Sequence, residues 1–210
     1  MVDRTILTGA SVRLEPLASC HVKGLAEAAR RGVYPFTPVP WGQAETRAYV
    51  AQARAEREAG TSLAFAVIDR QDERIVGSTR FRHLDQRAAE PGAIHSAVEI
   101  GHSWLSGTTR ETDINLEANL LMLRHAFEAW GVRQVSFRVD TRNHRSRAAL
   151  EKLGATCEGV GRMPSPGLDG ALRHVARYSV WAEEWPAVRE IIGLRLSLHA
   201  PSLVLRPNPA

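Results

Sequence analysis

Two short stretches hold residue types that can do chemistry. In AVEIG, Glu99 is the only charge among apolar neighbours. A carboxyl in apolar surroundings is pushed toward its neutral form, which suits a group that exchanges protons near neutrality. The plain alternative is an ion pair with an arginine such as Arg80 or Arg138. In VDTRNHRSRAALEKLGATCEGVG, from Val139 to Gly161, Arg142, His144, Arg145 and Arg147 crowd the first turns of an expected helix. Such a cluster suits nucleic acid, a solvated helix face, or a cradle for a small phosphorylated ligand. Asn143 directly before the helix is a preferred cap residue. Ser146 follows three positions later, so its hydroxyl either serves that cap or faces a ligand. His102 and His144 are reserve groups for proton transfer.

The elements that must hold these residues show in the periodicity. SVRLEPL (Ser11–Leu17) alternates as a short strand. SCHVKGLAEAARRG reads as a helix with Ser19 as cap and Gly32 as stop, and AETRAYVAQARAEREAG as a second helix ended by Gly60. Between them, VYPFTPVPWG holds three prolines and three aromatics, the composition of an ordered loop. SLAFAVIDR and RIVGSTRFRHL form a strand pair across the turn QDE. The strand carrying Glu99 runs over Ser96–Leu105 with Gly101 in its middle, a place for a bulge. Leu116, Leu120, Leu123, Phe127 and Trp130 then mark one apolar helix face, closed by Gly131. A strand over Gln134–Asp140 leads into the arginine-bearing helix, which Gly154 stops. Two more strands, ATCEGVGRM and LRHVARYSVWA, flank the turn-rich PSPGLDG, and EEWPAVREIIGLRL is a final helix. Long helices follow the fourth and fifth strands, so those two can lie parallel, while hairpins elsewhere give antiparallel pairs. The expected fold is α/β (α+β): a mixed, mostly antiparallel seven-stranded sheet flanked by helices, as one domain over residues 8–197, with a Pro-containing tail over 198–210.

Composition narrows the function classes. The chain has 210 residues and a formal net charge of +4. That excess favours anionic partners by long-range steering. Arginine supplies most of it, which suits bidentate phosphate or carboxylate contacts. Cys20 and Cys157 are far apart and show no zinc spacing, so both are expected as small buried hydrophobes in a reducing cytoplasm, and no metal site is expected. No apolar run is long enough for a membrane span.

The segment from Glu99 to Gly161 resembles the GNAT superfamily of acetyl-CoA-dependent N-acetyltransferases. Within it, the chain looks most like the ribosomal-protein-alanine acetyltransferase (RimJ/RimL-type) branch. The most specific residues are DTRNHRS running into RAALEKLGA, and the later YSVWAEEWP also looks like this branch. The element order matches over about residues 8–185. The resemblance implies that strands four and five start paired and splay apart. Their freed backbone groups would bind the pantetheine arm of coenzyme A as though it were another strand. Implied cofactor contacts are His102, Trp104, Leu105, Arg110, Thr112, Asp113, Ile114, Asn115, Asn143, Arg145 and Ser146. Arg110 falls on the arginine of the family's pyrophosphate loop, but Glu111 and Asp113 stand where the family has glycines. Asp113 suits an N-cap for the next helix, leaving Arg110, Thr112 and the N–H groups of Ile114 and Asn115 to meet the phosphates.

Catalytic roles follow from the same resemblance: Glu99 as general base through water, and Ser146 as proton donor to the leaving thiolate. The acceptor amine would enter opposite the cofactor, near Tyr34, Phe36, Trp41 and the loop MPSPGLDG. A basic protein is a poor match for polycationic amines. A peptide or protein N-terminal α-amine, or a small neutral or acidic amine, fits better. Two other readings compete. One is an acyl-CoA-binding module without catalysis, suggested by Glu111 and Asp113. The other is a nucleic-acid-binding protein using the arginine helix, although no aromatic stacking platform accompanies those arginines. The oligomeric state stays open, a homodimer included.

Overall fold

The computed structural model describes residues 5–84, 97–109, 112–163 and 165–199. In chain order the elements are β1 (Leu7–Thr8), β2 (Val12–Pro16), α1 (Val22–Ala29), α2 (Gly42–Glu58), β3 (Ser62–Asp69), β4 (Arg74–Arg82), β5 (Ala97–Leu105), α3 (Ile114–Arg124), β6 (Gln134–Asp140), α4 (His144–Leu153), β7 (Thr156–Met163), β8 (Arg173–Trp181) and α5 (Trp185–His199). One sheet runs in the order β1-β2-β3-β4-β5-β6-β8-β7. Every neighbouring pair is antiparallel except β5 and β6, the two strands joined through α3. The expected mixed sheet is therefore present with eight strands rather than seven. The added β1 pairs Leu7 with Leu14 and Thr8 with Arg13. Two residues are too few to show an alternation, so pattern alone passes over it.

Both faces of the sheet are covered. On β3, Leu63, Phe65 and Val67 enter one core with Phe81, Val98, Leu121, Val135 and Ile192. The alternate residues Ala64, Ala66 and Ile68 enter a second core with Leu17, Leu25 and Val50 under α1 and α2. A strand buried on both faces reads as an unbroken apolar run, as SLAFAVI does. Alanines on the second face let the two helices lie close.

Several local expectations need correction. Ser19 does not cap the first helix: the chain enters through a 3-10 turn over Ser19–His21, and His21 Nδ1 accepts from the Ala18 N–H at 3.1 Å. The helix opened by Ile114 is regular only to Arg124, and a wider π turn over His125–Ala129 completes it. That turn brings His125 and Trp130 within 4.6 Å, and Trp130 within 4.6 Å of Phe81. Cys20 and Cys157 are exposed, not buried. Cys157 lies on β7, which ends the sheet and is exposed along nearly its whole length. The expected tail lies almost entirely outside the described residues. Among the described residues, no helix is long and apolar enough to cross a membrane.

Candidate active site

The ladder between β5 and β6 is short. It joins Ala97, Val98 and Glu99 to Gln134, Val135 and Ser136, and then stops. β5 continues to Leu105 and β6 to Asp140 with no ladder between them. β4 keeps β5 in the sheet, and β8 keeps β6. The result is the expected splay, and it opens a cleft lined by Ile100, Asn115, Phe137, Val139, Ser146 and Leu150, among others.

A bulge at the mouth of the splay rearranges β5. Arg80 pairs with Gly101 and Ser78 with Trp104, so His102 and Ser103 together oppose Thr79. The residue in left-handed backbone is His102, with φ +49°, rather than Gly101. An extra residue inverts the alternation of side chains beyond it. Val98 and Ile100 face the first core, whereas Trp104 drops into the second and meets Tyr34 edge-on at 5.7 Å. The Trp104 side chain is thus a core group, and only its backbone remains for a ligand in the cleft. Leu105 likewise packs against the first core.

Glu99 sits just before the bulge and its residue is only 3% exposed. Arg82, directly across the ladder, donates from Nη1 to Glu99 Oε1 at 3.0 Å. Arg138 Nε lies 2.5 Å from Oε2, an ion pair whose N–H is not aimed at that oxygen. His83 Nε2 stands 3.7 Å from the same atom. The ion-pair reading of Glu99 is therefore realised with Arg138, while Arg80 turns to Glu56 at 2.9 Å and lies over the Tyr49 ring. Two guanidiniums balance the buried carboxylate and occupy its surroundings.

His102 has the most distinctive surroundings. It lines the cleft on the α4 side and also a second pocket of about 440 Å³, walled by Tyr49, Glu56, Arg80, Arg82 and His83 on the α2 side. Burial, with help from the charges of Arg82, Arg80 and Arg173, pulls its pKa down to about 4. At neutral pH the imidazole is therefore uncharged. A third, apolar groove near Tyr34, Val39 and Trp41 adjoins that pocket through Pro38, Tyr49 and Gln52.

The helix α4 begins as its sequence suggests. Asn143 Oδ1 accepts from the Ser146 N–H at 3.1 Å, and Gly154 closes the helix at φ +97°. The cap uses the backbone of Ser146, not its hydroxyl. Ser146 lines the cleft, and no protein partner of its hydroxyl is found among the described residues.

Arg142 precedes the Asn143 cap and lies outside α4, which holds only Arg145 and Arg147, and the three arginines take different roles. Arg142 grips buried Asp140 through both oxygens, at 3.0 and 2.9 Å. It also reaches Asp169 at 2.6 Å and lies 5.5 Å over the Phe36 ring. These hydrogen bonds hold the Asp140 carboxyl below the ordinary carboxylate range, despite its burial. Arg147 donates to the Tyr178 hydroxyl at 3.2 Å, and that hydroxyl donates to Glu151 at 2.7 Å. Only Arg145 of the three is exposed and has no protein partner among the described residues. The arginines are therefore divided among different partners, with Arg142 joining β6 to the β7–β8 loop and Arg147 joining α4 to β8.

The phosphate end of the expected site is partly visible. Arg110 and Glu111 lie outside the described residues. Asp113 occupies the cap position of α3 but in helical backbone, and its side chain makes no cap bond. The Thr112 hydroxyl donates to the Thr109 carbonyl at 2.8 Å. Ile114 is buried, so its N–H is what it can offer, while Asn115 is exposed and lines the cleft. Of the acceptor candidates, Phe36 lines the cleft, whereas Tyr34 and Trp41 line the outer apolar groove. His144 is exposed at the head of α4.

Sequence reasoning missed Arg82 and Arg173. Arg82 left a signal: STRFRH puts Arg80 and Arg82 on one face of a strand that neighbours Glu99. Arg173 left none, because its place by Asp140 depends on how β8 lies beside β6.

A family model described as an acetyltransferase (GNAT) domain matches residues 11–156. None of the curated proteins matches the chain. Among solved structures, a GCN5-related N-acetyltransferase from Brucella melitensis is 26% identical, with 91% of this chain and 85% of that one covered and a TM-score of 0.79. A candidate acetyltransferase from T. thermophilus is 32% identical over 93% and 99% of the two chains, with a TM-score of 0.75. Mycobacterium smegmatis RimJ, solved with CoA-disulfide, shares the fold at 20% identity, 91% and 95% coverage and a TM-score of 0.77.

Proposed function

Because the chain belongs to the GNAT acetyltransferase family, we propose that it moves an acetyl group from acetyl-CoA to a primary amine by direct attack on the thioester. The acceptor class is the α-amine of a peptide or protein N-terminus, or the amine of a small molecule. One observation carries this reading: two pockets on opposite sides of the splayed sheet both reach His102. A donor in the cleft and an acceptor in the other pocket would meet there without crossing paths.

The cleft has the features that coenzyme A needs. Unladdered edges of β5 and β6 offer backbone groups to an amide-bearing arm. The first turn of α3 supplies N–H groups without intrahelical partners, and Arg145 is an unengaged cation on α4. Bound there, acetyl-CoA supplies the activated acetyl group. The chain's own residues do the rest. Arg80, Arg82 and Arg173 surround the gap with positive charge, which favours the neutral, nucleophilic form of an amine. Glu99 takes up the released proton through water while Arg82 and Arg138 hold its carboxylate in place. Ser146, with its hydroxyl free in the cleft, hydrogen-bonds the departing thiolate and relays to it a proton drawn from water, so that the serine ends the step protonated. Asn143 fixes the backbone that carries it.

Amine-dependent release of thiol from acetyl-CoA, screened over peptide and small-molecule amines, tests the reading. Turnover that depends on the amine supports it. Tight binding of coenzyme A with no turnover for any amine would instead favour an acyl-CoA-binding module, a role to which the full engagement of Glu99 by two guanidiniums would be suited.

A further inference from the structure

On the α2 side of the gap, Arg80 and Arg82 pair with Glu56 and Glu99, and Glu99 is shared with a third guanidinium, Arg138, which lines the cleft on the α4 side. Both carboxylates are already engaged. Glu56 binds Arg80 through Oε2 and Gln52 through Oε1, and Glu99 lies between Arg82 and Arg138. One positive charge in this group therefore has no counter-charge among the described residues. His83, also on the pocket wall, adds no negative charge.

Arg80 is the least ordinary member. Its side chain is only 5% exposed, yet it lines the pocket. A guanidinium has five N–H donors. Here one is bonded to Glu56, and Nε is buried with no partner. A buried cation with unused donors beside a cavity is completed by an anion that brings both charge and acceptors. Arg80 pairs across the ladder with Gly101, the neighbour of His102. An amine held at the gap by His102 would thus place its next substituent near Arg80 and Arg82.

We infer that this pocket is the acceptor subsite and selects amines that carry a carboxylate close to the reacting nitrogen. The inference rests on the acetyl transfer proposed above, which by itself demands no charge on the acceptor. Two sources offer the same chemistry: the side chain of an acidic residue near a peptide N-terminus, or the α-carboxylate of a free amino acid.

The experiment uses the full chain, with and without saturating coenzyme A, titrated calorimetrically at low salt. The probes are alanyl-glutamate amide, alanyl-glutamine amide, free alanine and alanine amide. Within at least one pair, the carboxylate-bearing member is expected to bind about tenfold more tightly than its amide counterpart. The first pair reads an acidic side chain and the second an α-carboxylate. In Arg80→Gln the preference is expected to disappear, whereas Arg80→Lys should keep part of it. Arg82→Gln is the second variant, should loss of Arg80 prevent folding. Equal affinities within both pairs overturn the inference, as does a preference untouched by every folded variant. If coenzyme A does not bind but the anion preference persists, the transfer reading falls and the anion pocket stands. If coenzyme A binds and neither pair shows a preference, the pocket is overturned and the transfer reading stands.

Discussion

Glu99 and Ser146 occupy contrasting settings, and the contrast separates their expected failures. Glu99 is buried between Arg82 and Arg138. Glu99→Gln keeps the shape but leaves two guanidiniums without their counter-charge. Turnover is expected to fall by about 10²–10⁴ fold, with the activity profile moved to higher pH, where the amine deprotonates without help. Melting should also shift downward, because one partner of a buried ion pair has been removed. Ser146→Ala removes a hydroxyl with no protein partner and leaves the backbone cap to Asn143 intact. It should lower turnover without changing the pH profile or the melting midpoint. A pH–rate series with parallel melts reads both variants. If Glu99→Gln melts lower but retains normal turnover and pH dependence, its carboxylate is a fastening and the proton goes elsewhere, with His102 the next group to remove.

At the scale of elements, the site depends on a misfit: β5 is bulged against β4 and splayed from β6. Gly77 makes the bulge possible on the β4 side. A Cβ there would stand 2.0 Å from the Trp104 carbonyl oxygen, a backbone atom that cannot step aside. Gly77→Ala is therefore expected to cost at least about 2 kcal/mol in chemical unfolding, through overpacking of strand against strand. Arg142 fastens a different set, joining the end of β6 to the β7–β8 loop and to Phe36 in the loop before α2. Arg142→Ala should weaken acetyl-CoA binding in the cleft that Phe36 and Asp140 line and lower the melting midpoint. Arg142→Lys should not restore either, since an ammonium cannot span both oxygens of Asp140 as a guanidinium does. Steady-state KM values and melts check this pair. These same elements show what the sequence discloses. The α4 cap at Asn143 and the parallel pairing of the fourth and fifth strands were legible in turn residues and periodicity, while the splay came from the resemblance that one dense motif carries. The inverted face of Trp104 was not. A period-two reading carries Val98 and Ile100 forward onto the wrong side, and only the pairing of β4 with β5 reveals the extra residue. The arginines around the start of α4 misled for a similar reason: Asp140 precedes Arg142 closely, but Asp169 and Tyr178 arrive from distant strands and loops.

For the molecule as a whole, the gap between the two pockets is a source of acid sensitivity. His102 is held at a pKa of about 4 by burial and by Arg82, Arg80 and Arg173. In the unfolded chain a histidine titrates near 6.5. Between those values the unfolded chain binds a proton that the folded one refuses, so lowering the pH favours unfolding. The stability lost is on the order of 3 kcal/mol, beginning as pH drops below about 6.5 and complete near 4. Asp140 acts lower still. Its carboxyl is held below the ordinary range by Arg142, so its contribution is present above the usual aspartate value and is lost as pH falls through the depressed one. Denaturant melts from pH 8 to 3 should therefore show stability falling from about pH 6.5, above the range where most carboxylates protonate. The informative variant is His102→Asn. Asparagine tolerates the left-handed backbone at this bulge better than most residues and does not titrate. It is expected to flatten the slope between pH 6.5 and 4 while leaving the steeper loss below 4 in place. An unchanged slope in that variant would mean that His102 is reached by water and protonates in the folded chain, and the neutral imidazole at the meeting point of the two pockets would have to be given up.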